Sequence, residues 1–354
     1  MLESNNSPVH TQITLSPKYQ NEEGRIICSP SSVFEGTVNI VATQSIPVRR
    51  IKLVFKATER VNYHILGWEA PKDDQARLFA VRTILWGFPN DAQVLPKDYP
   101  ILEQGQHQFP FICQMPVVNF PPDFENHLIA QTFHLYVVVE TLQGTILSEP
   151  TPLSFRPMIE TKLSAKIEHS QLTQNIHAQV SVAHLEHDVS EPLTIPMQVK
   201  FSATGSLSQL DVCLKKTTRL DYRTFSNTET VTVAHYSQSK LNPSNSFLIQ
   251  MPRGLMPTLD FSRHFRVEYR LVATVKVRHG LIHIKRKLLD VPIVLGTLPL
   301  GVKASRQLEN YSNLVENVSD VLCKPLFLKQ EFEEECLPVY DDSLPPIYPY
   351  TPYV

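Results

Sequence analysis

The chain has 354 residues, 42% of them hydrophobic and 19% charged, with a formal net charge of -2. That length suits two domains and an appendage, because single cores seldom grow beyond about 250–300 residues. The near-neutral balance excludes a general nucleic-acid binder, which carries a strong basic excess.

Proline is frequent at 28 residues and glycine scarce at 11, so the chain is expected to break at strand ends and in extended segments. The N-terminus, MLESNNSPVHTQ, lacks the apolar stretch of a secretory signal. No run approaches the roughly 18 apolar residues that a spanning helix needs. Cys28, Cys113, Cys213, Cys323 and Cys336 are far apart and form no CxxC pair. They read as reduced, mostly buried thiols, with neither a disulfide framework nor a zinc site expected.

Most of the chain alternates with period two, the signature of strands with one face on a core and one towards water. The first clear case is Ile51, Leu53 and Phe55. The segment Phe111-Ile112-Cys113-Gln114-Met115-Pro116 then ends a strand, since proline has no N–H to donate to a ladder. It is followed by Pro121, Asp123 and Phe124, and by a second alternation at Phe133, Leu135, Val137 and Val139. The same device returns 136 residues later as Phe247-Leu248-Ile249-Gln250-Met251-Pro252, followed by Pro257, Asp260 and Phe261. It leads into the cleanest alternation of all, Phe265, Val267, Tyr269, Leu271, Ala273, Val275 and Val277. The expected fold is therefore all-β, with one β-sandwich built twice. The first domain is placed at 8–157, closing at the proline-rich stretch Glu149 to Pro157, and the second at 158–302.

Between these landmarks, His184, Glu186 and His187 carry metal-ligand atoms. A strand would put His187 on the opposite face from the other two, so no metal is assigned. His279 and His283 flank Gly280 at an expected hairpin tip. Beside it Lys276, Arg278 and the trio Lys285, Arg286 and Lys287 form a small basic patch. Its two readings are a contact for acidic lipid or an acidic cargo tail, and a charged edge that blocks sheet-to-sheet aggregation.

Residues 303–354 read as a short tail. Leu308, Tyr311, Val315, Val318 and Leu322 recur at helical spacing behind Ser305, a fitting N-cap, and predict a short helix over 305–322 packed on the second domain. Glu331, Glu333, Glu334 and Glu335 precede LPVYDDSLPPIYPYTPYV, whose composition predicts an unfolded, polyproline-like end. Pro345-Pro346-Ile347-Tyr348 is a PPxY motif of the kind that WW domains bind. The prolines fit an aromatic groove and the tyrosine returns to the same side to fill a second pocket. Pro338 and Tyr340 form a weaker second contact, lacking one proline of the motif.

The ordered set of fragments resembles the arrestin superfamily, and its alpha-arrestin branch in particular. Its opening pattern appears as Gly36, Val38, Pro47, Arg49 or Arg50, Ile51, Leu53 and Phe55. It continues through Leu102, Gly105, His107, Phe109-Pro110-Phe111, Pro116, Pro121 and Phe124. The second half matches at Pro252, Pro257-Thr258, Val267, Tyr269, Leu271 and Pro292-Ile293-Val294-Leu295-Gly296. Lys56 departs from the pattern, near where glycine is usual. The resemblance implies two tandem arrestin-like, immunoglobulin-like β-sandwiches without an active site or cofactor. It also implies a cytoplasmic adaptor at the plasma membrane and endosomes. Such an adaptor binds membrane-protein cargo and recruits a WW-domain ubiquitin ligase of the HECT type for ubiquitination and endocytosis. An arrestin-fold sorting or scaffold protein without ligase recruitment is the alternative, and an enzyme built on a β-sandwich is a more distant one.

Overall fold

The computed structural model describes residues 7–20, 26–61, 75–89, 92–163, 166–173, 176–189, 194–202, 207–222, 225–279, 281–314 and 323–328. The architecture is all-β, with antiparallel and mixed sheets and, among the described residues, only single 3-10 turns as helix. The first half contains β1 (Val9–Leu15), β2 (Ile27–Cys28), β3 (Val33–Ala42), β4 (Ile46–Val61), β5 (Gln75–Gly87) and β6 (Ile101–Leu102). It continues with β7 (Gly105–Gln114), β8 (Val118–Asn119), β9 (Phe124–Glu125), β10 (Ile129–Thr141), β11 (Gly144–Leu147) and β12 (Thr151–Phe155). The second half contains β13 (Ile167–Thr173), β14 (Ile176–Val182), β15 (Glu186–Asp188), β16 (Thr194–Phe201) and β17 (Leu207–Tyr222). After these come β18 (Phe225–Gln238), β19 (Ser244–Gln250), β20 (Phe265–His279) and β21 (Ile282–Gly296), then the short β22 (Glu309–Asn310) and β23 (Leu326–Leu328).

The strand order is duplicated. One sheet of the first half runs β2-β12-β10-β4-β5, and one of the second runs β15-β21-β20-β17-β18. Each keeps the same chain sequence of strands, with a parallel pair at the same edge, β2 with β12 and β15 with β21. The facing sheets correspond as well, β1-β3-β7 to β14-β16-β19, with β13 added at the outer edge of the second. The two copies of the proline-terminated device end β7 and β19, and the alternations that follow them are β10 and β20.

Alternation dictates the two cores. Phe265, Val267, Tyr269, Leu271, Ala273, Val275 and Val277 of β20 are all buried, as are Phe133, Leu135, Val137 and Val139 of β10. Each core takes side chains from both of its sheets. In the first, Phe34 of β3 meets Phe55 of β4 edge-on at 5.7 Å, and a chain of ring contacts runs on through Phe79 to Phe120 and Phe133. Close approach explains one glycine of the opening pattern. A Cβ on Gly36 would stand 2.6 Å from the Thr14 carbonyl oxygen and 2.9 Å from the Phe111 ring.

The predicted helix over 305–322 is not formed where the chain is described. Residues 305–314 make a turn, then β22, then a 3-10 turn at Tyr311–Asn313. β22 pairs in parallel with β8 of the first half, and Tyr311 enters the first core 5.5 Å from the Phe120 ring. Of the apolar residues that looked like one helix face, Tyr311 serves a core, that of the first half and not the second; Val315, Val318 and Leu322 lie outside the described residues. Further on, β23 adds to the edge of β7, and Phe327 meets Phe111 at 6.3 Å. The described segments at β22 and β23 are thus returned to the first unit.

Candidate functional site

Pro345, Pro346 and Tyr348, with Pro338 and Tyr340, lie outside the described residues. What the structure does place is the ground from which that end departs, the junction between the two units, and the charged groups around them.

The junction combines polar and aromatic contacts. Met158 donates its backbone N–H to Asn119 Oδ1 at 2.8 Å, and Asn119 Nδ2 returns a bond to Met158 O at 2.9 Å. Arg156 Nη2 donates to Thr297 O at 2.6 Å, and Ile159 N to Thr297 Oγ1 at 2.9 Å. Gly296 precedes this threonine because a Cβ there would stand 2.4 Å from the Thr161 methyl and 2.8 Å from Ile159 O. Phe124, which opens β9, stacks on Phe265, which opens β20, at 4.4 Å. Arg263 lies over the Tyr311 ring at 4.8 Å, so the returning strap touches both units.

Glu59, only 3% exposed, sits in this junction. It accepts from Gln131 Nε2 on β10 and from Ser262 Oγ across the junction at 3.3 Å, with His264 Nε2 at 3.8 Å. Burial pushes its pKa above the ordinary carboxylate value. The charge of His264, the bonds from Gln131 and Ser262, and the charge of Arg263 oppose that shift without cancelling it. Gln131 Oε1 is buried without a hydrogen-bond partner in the described structure. A raised folded pKa stabilises the fold fully below the unfolded value, and the contribution fades as pH rises through the folded value. Glu59→Gln, neutral throughout, is therefore expected to stabilise the protein by about 1 kcal/mol at pH 8 and by less at pH 5. Thermal melts at the two pH values check it, and an equal gain at both would contradict the assignment.

A second cluster lies on the outer face of β4 and β10. Glu140 accepts from Arg50 Nε at 2.7 Å and from Lys52 Nζ, and Arg49 Nη1 stands 3.9 Å away. Burial alone would raise the Glu140 pKa; the bonds and charges of Lys52 and Arg50 outweigh it and hold the group below the usual range. Three cations share one carboxylate, so the cluster keeps a positive excess.

Lys285, Arg286 and Lys287 lie exposed on β21, near the hairpin formed with β20. Register sets Lys285 opposite Lys276 and Lys287 opposite Thr274. Lys287 Nζ bonds Asp290 at 2.8 Å, and Asp290 also takes Arg270 at 2.7 Å. The His184–His187 segment has a structural use: His187 Nε2 bonds the His184 carbonyl oxygen at 3.1 Å, and Glu186 accepts the Lys162 backbone N–H. Among the described residues no group of three or more His, Cys, Asp or Glu could hold a metal ion. Cys28 and Cys113 are buried free thiols, the Cys113 pKa pushed up to about 12 by burial, and the Cys28 pKa pushed higher still by the same cause.

No protein-family model matches the chain, and no curated protein matches it.

Glu59 and Glu140 had no signal in the sequence, where each is one acid in an alternating strand. The partners that give them meaning stand 203 and 90 residues away, at Ser262 and Arg50.

Proposed function

We propose that this chain is a non-catalytic adaptor of the arrestin type, two tandem arrestin-like sandwiches whose end presents a PPxY motif to a WW-domain ubiquitin ligase. The sandwiches engage membrane-protein cargo at the plasma membrane or endosomes, and the ligase marks that cargo for endocytosis. The observation that carries the reading is Pro345-Pro346-Ile347-Tyr348, set in a stretch of prolines and tyrosines with few residues able to make a core. Two prolines hold the extended helix before docking, so little backbone entropy is lost on binding. The duplicated strand order supports the tandem architecture. The contact of β23 with β7 supports a tail that starts from the first unit.

The test is titration of the full chain with isolated WW domains of such a ligase. Tyr348→Ala is expected to weaken binding about thirty-fold, close to 2 kcal/mol, because the phenol fills the second pocket. Pro338→Ala with Tyr340→Ala is expected to matter only for tandem WW domains, where a second contact adds avidity. Wild-type affinity in Tyr348→Ala would remove the ligase from this account.

A further inference from the structure

The last strand of a sheet presents unpaired backbone groups, a template for a further strand. Most such edges in this fold are short. β2, β15 and β23 have 2, 3 and 3 residues, and β1, β13 and β19 have 7 each. β5 is longer but carries Arg77 and Arg82. β18 differs from all of them: it has 14 residues, stands last in its sheet, and pairs with β17 alone among the described strands.

The far end of β18 is turned away. Val233 bulges out between Thr232, opposite Lys215, and Ala234, opposite Leu214. Beyond it the Tyr236 ring stacks on Phe247 of the facing sheet at 4.5 Å. The run before the bulge keeps register from Phe225, opposite Tyr222, to Thr232. Within it Thr228, Glu229, Thr230, Val231 and Thr232 are all exposed, on both faces of the strand. Threonine and valine suit a strand, and the run lacks the lysine and proline that blunt an edge. Cross-strand neighbours share a face. Thr217 and Thr230 lie on the outer face with their hydroxyls 3.0 Å apart. Lys216 opposite Val231, and Thr218 opposite Glu229, lie on the inner one. Lys216 is half-buried there, and burial lowers its pKa against the opposing charge of Glu229.

We propose that β18 is a dimerisation edge, pairing antiparallel with β18 of a second copy about a two-fold axis at Thr230. Two five-stranded sheets then join into one. The register sets Glu229 of each copy opposite Val231 of the other, in the same row as Lys216. Each half-buried ammonium thereby gains a carboxylate, and symmetry makes the gain twice. An axis at Glu229 would set like charges face to face, and an axis at Val231 would set Glu229 against the bulge. A strand from an unrelated protein has no such reciprocal match. The proposal is independent of the PPxY tail.

Sedimentation equilibrium of the full chain tests it. A short edge contact makes a weak dimer, so monomer and dimer are expected together at about 100 μM. Thr230→Lys and Thr230→Glu each place like charges across the axis, and each should weaken dimerisation about ten-fold. An equal mixture of the two variants should dimerise at least as well as wild type, because the new ammonium then faces the new carboxylate. Position 230 is exposed, and unchanged melting temperatures will show that both variants fold. A wild-type chain that stays monomeric up to about 500 μM overturns the proposal and leaves the edge to a strand of another protein. Dimers that ignore both substitutions overturn it too, as does a mixture that dimerises no better than either variant alone. Tyr348→Ala should dimerise like wild type, so a failed tail reading and a failed edge give different patterns.

Discussion

Phe120→Ala is expected to destabilise the protein by about 4 kcal/mol, at the upper end for a single core truncation. Phe120 has no exposed surface and stands within ring contact of Phe79 at 5.1 Å, Phe155 at 5.6 Å and Tyr311 at 5.5 Å. Removing it opens a cavity among rings that β-sheet backbones on both sides hold apart, so the site collapses poorly. It also takes away the surface on which the strap after Leu308 lands. Tyr311→Ala alone should cost less, and the double variant should fall short of the sum by about 1 kcal/mol, because the two rings share one contact. Urea unfolding of the three variants measures this. Strict additivity would show that the strap is held by β22 and not by Tyr311.

That ring contact also marks where sequence reading stopped. Strand periodicity survives any change of partner, since side chains alternate whichever sheet the strand joins; β10 and β20 were legible for that reason. The proline endings after Met115 and Met251 were legible because a missing N–H terminates a ladder wherever it occurs. Two copies of one signal made a duplication legible, while the strand order of each copy needed coordinates. The strap carried no such local rule. Leu308, Tyr311, Val315, Val318 and Leu322 have helical spacing, and nothing local says that Tyr311 fits a gap beside Phe120 or that Asn310 must meet Asn119. A spacing of three suits a turn as well as a helix when the core to be filled lies elsewhere. Gly36 and Gly296 were visible as pattern positions, while their cause, a backbone carbonyl within 3 Å of any added Cβ, needed coordinates.

The candidate sites divide in the same way. A PPxY motif is readable because its geometry lies within four consecutive residues. The facing ends of β20 and β21 were half readable: the basic trio was plain, but the exposure of Leu281 and Ile282 was not, since an apolar pair in a strand is normally core. Charge clusters formed by distant strands cannot be read at all, and Glu140 is the clearest of them.

Glu140→Ala should cost about 3 kcal/mol at pH 7, because it leaves Arg50 and Lys52, 6% and 9% exposed, without a counter-charge. The pH dependence has a sign that separates this site from Glu59. The folded pKa of Glu140 lies below its ordinary value, so its contribution is present above the unfolded value of about 4.3 and is lost as pH falls through the folded one. The gap between wild type and Glu140→Ala is therefore expected to be full at pH 7 and to close below about pH 4, whereas the gain from Glu59→Gln grows towards high pH. Lys52→Met in the Glu140→Ala background should recover part of the loss, since one of the two uncompensated cations is then gone. Recovery distinguishes buried charge from lost packing, because methionine restores no contact that alanine removed at position 140. If the gap persists unchanged at pH 3, or if Lys52→Met makes the Glu140→Ala protein worse, the carboxylate is not what holds these cations in the sheet.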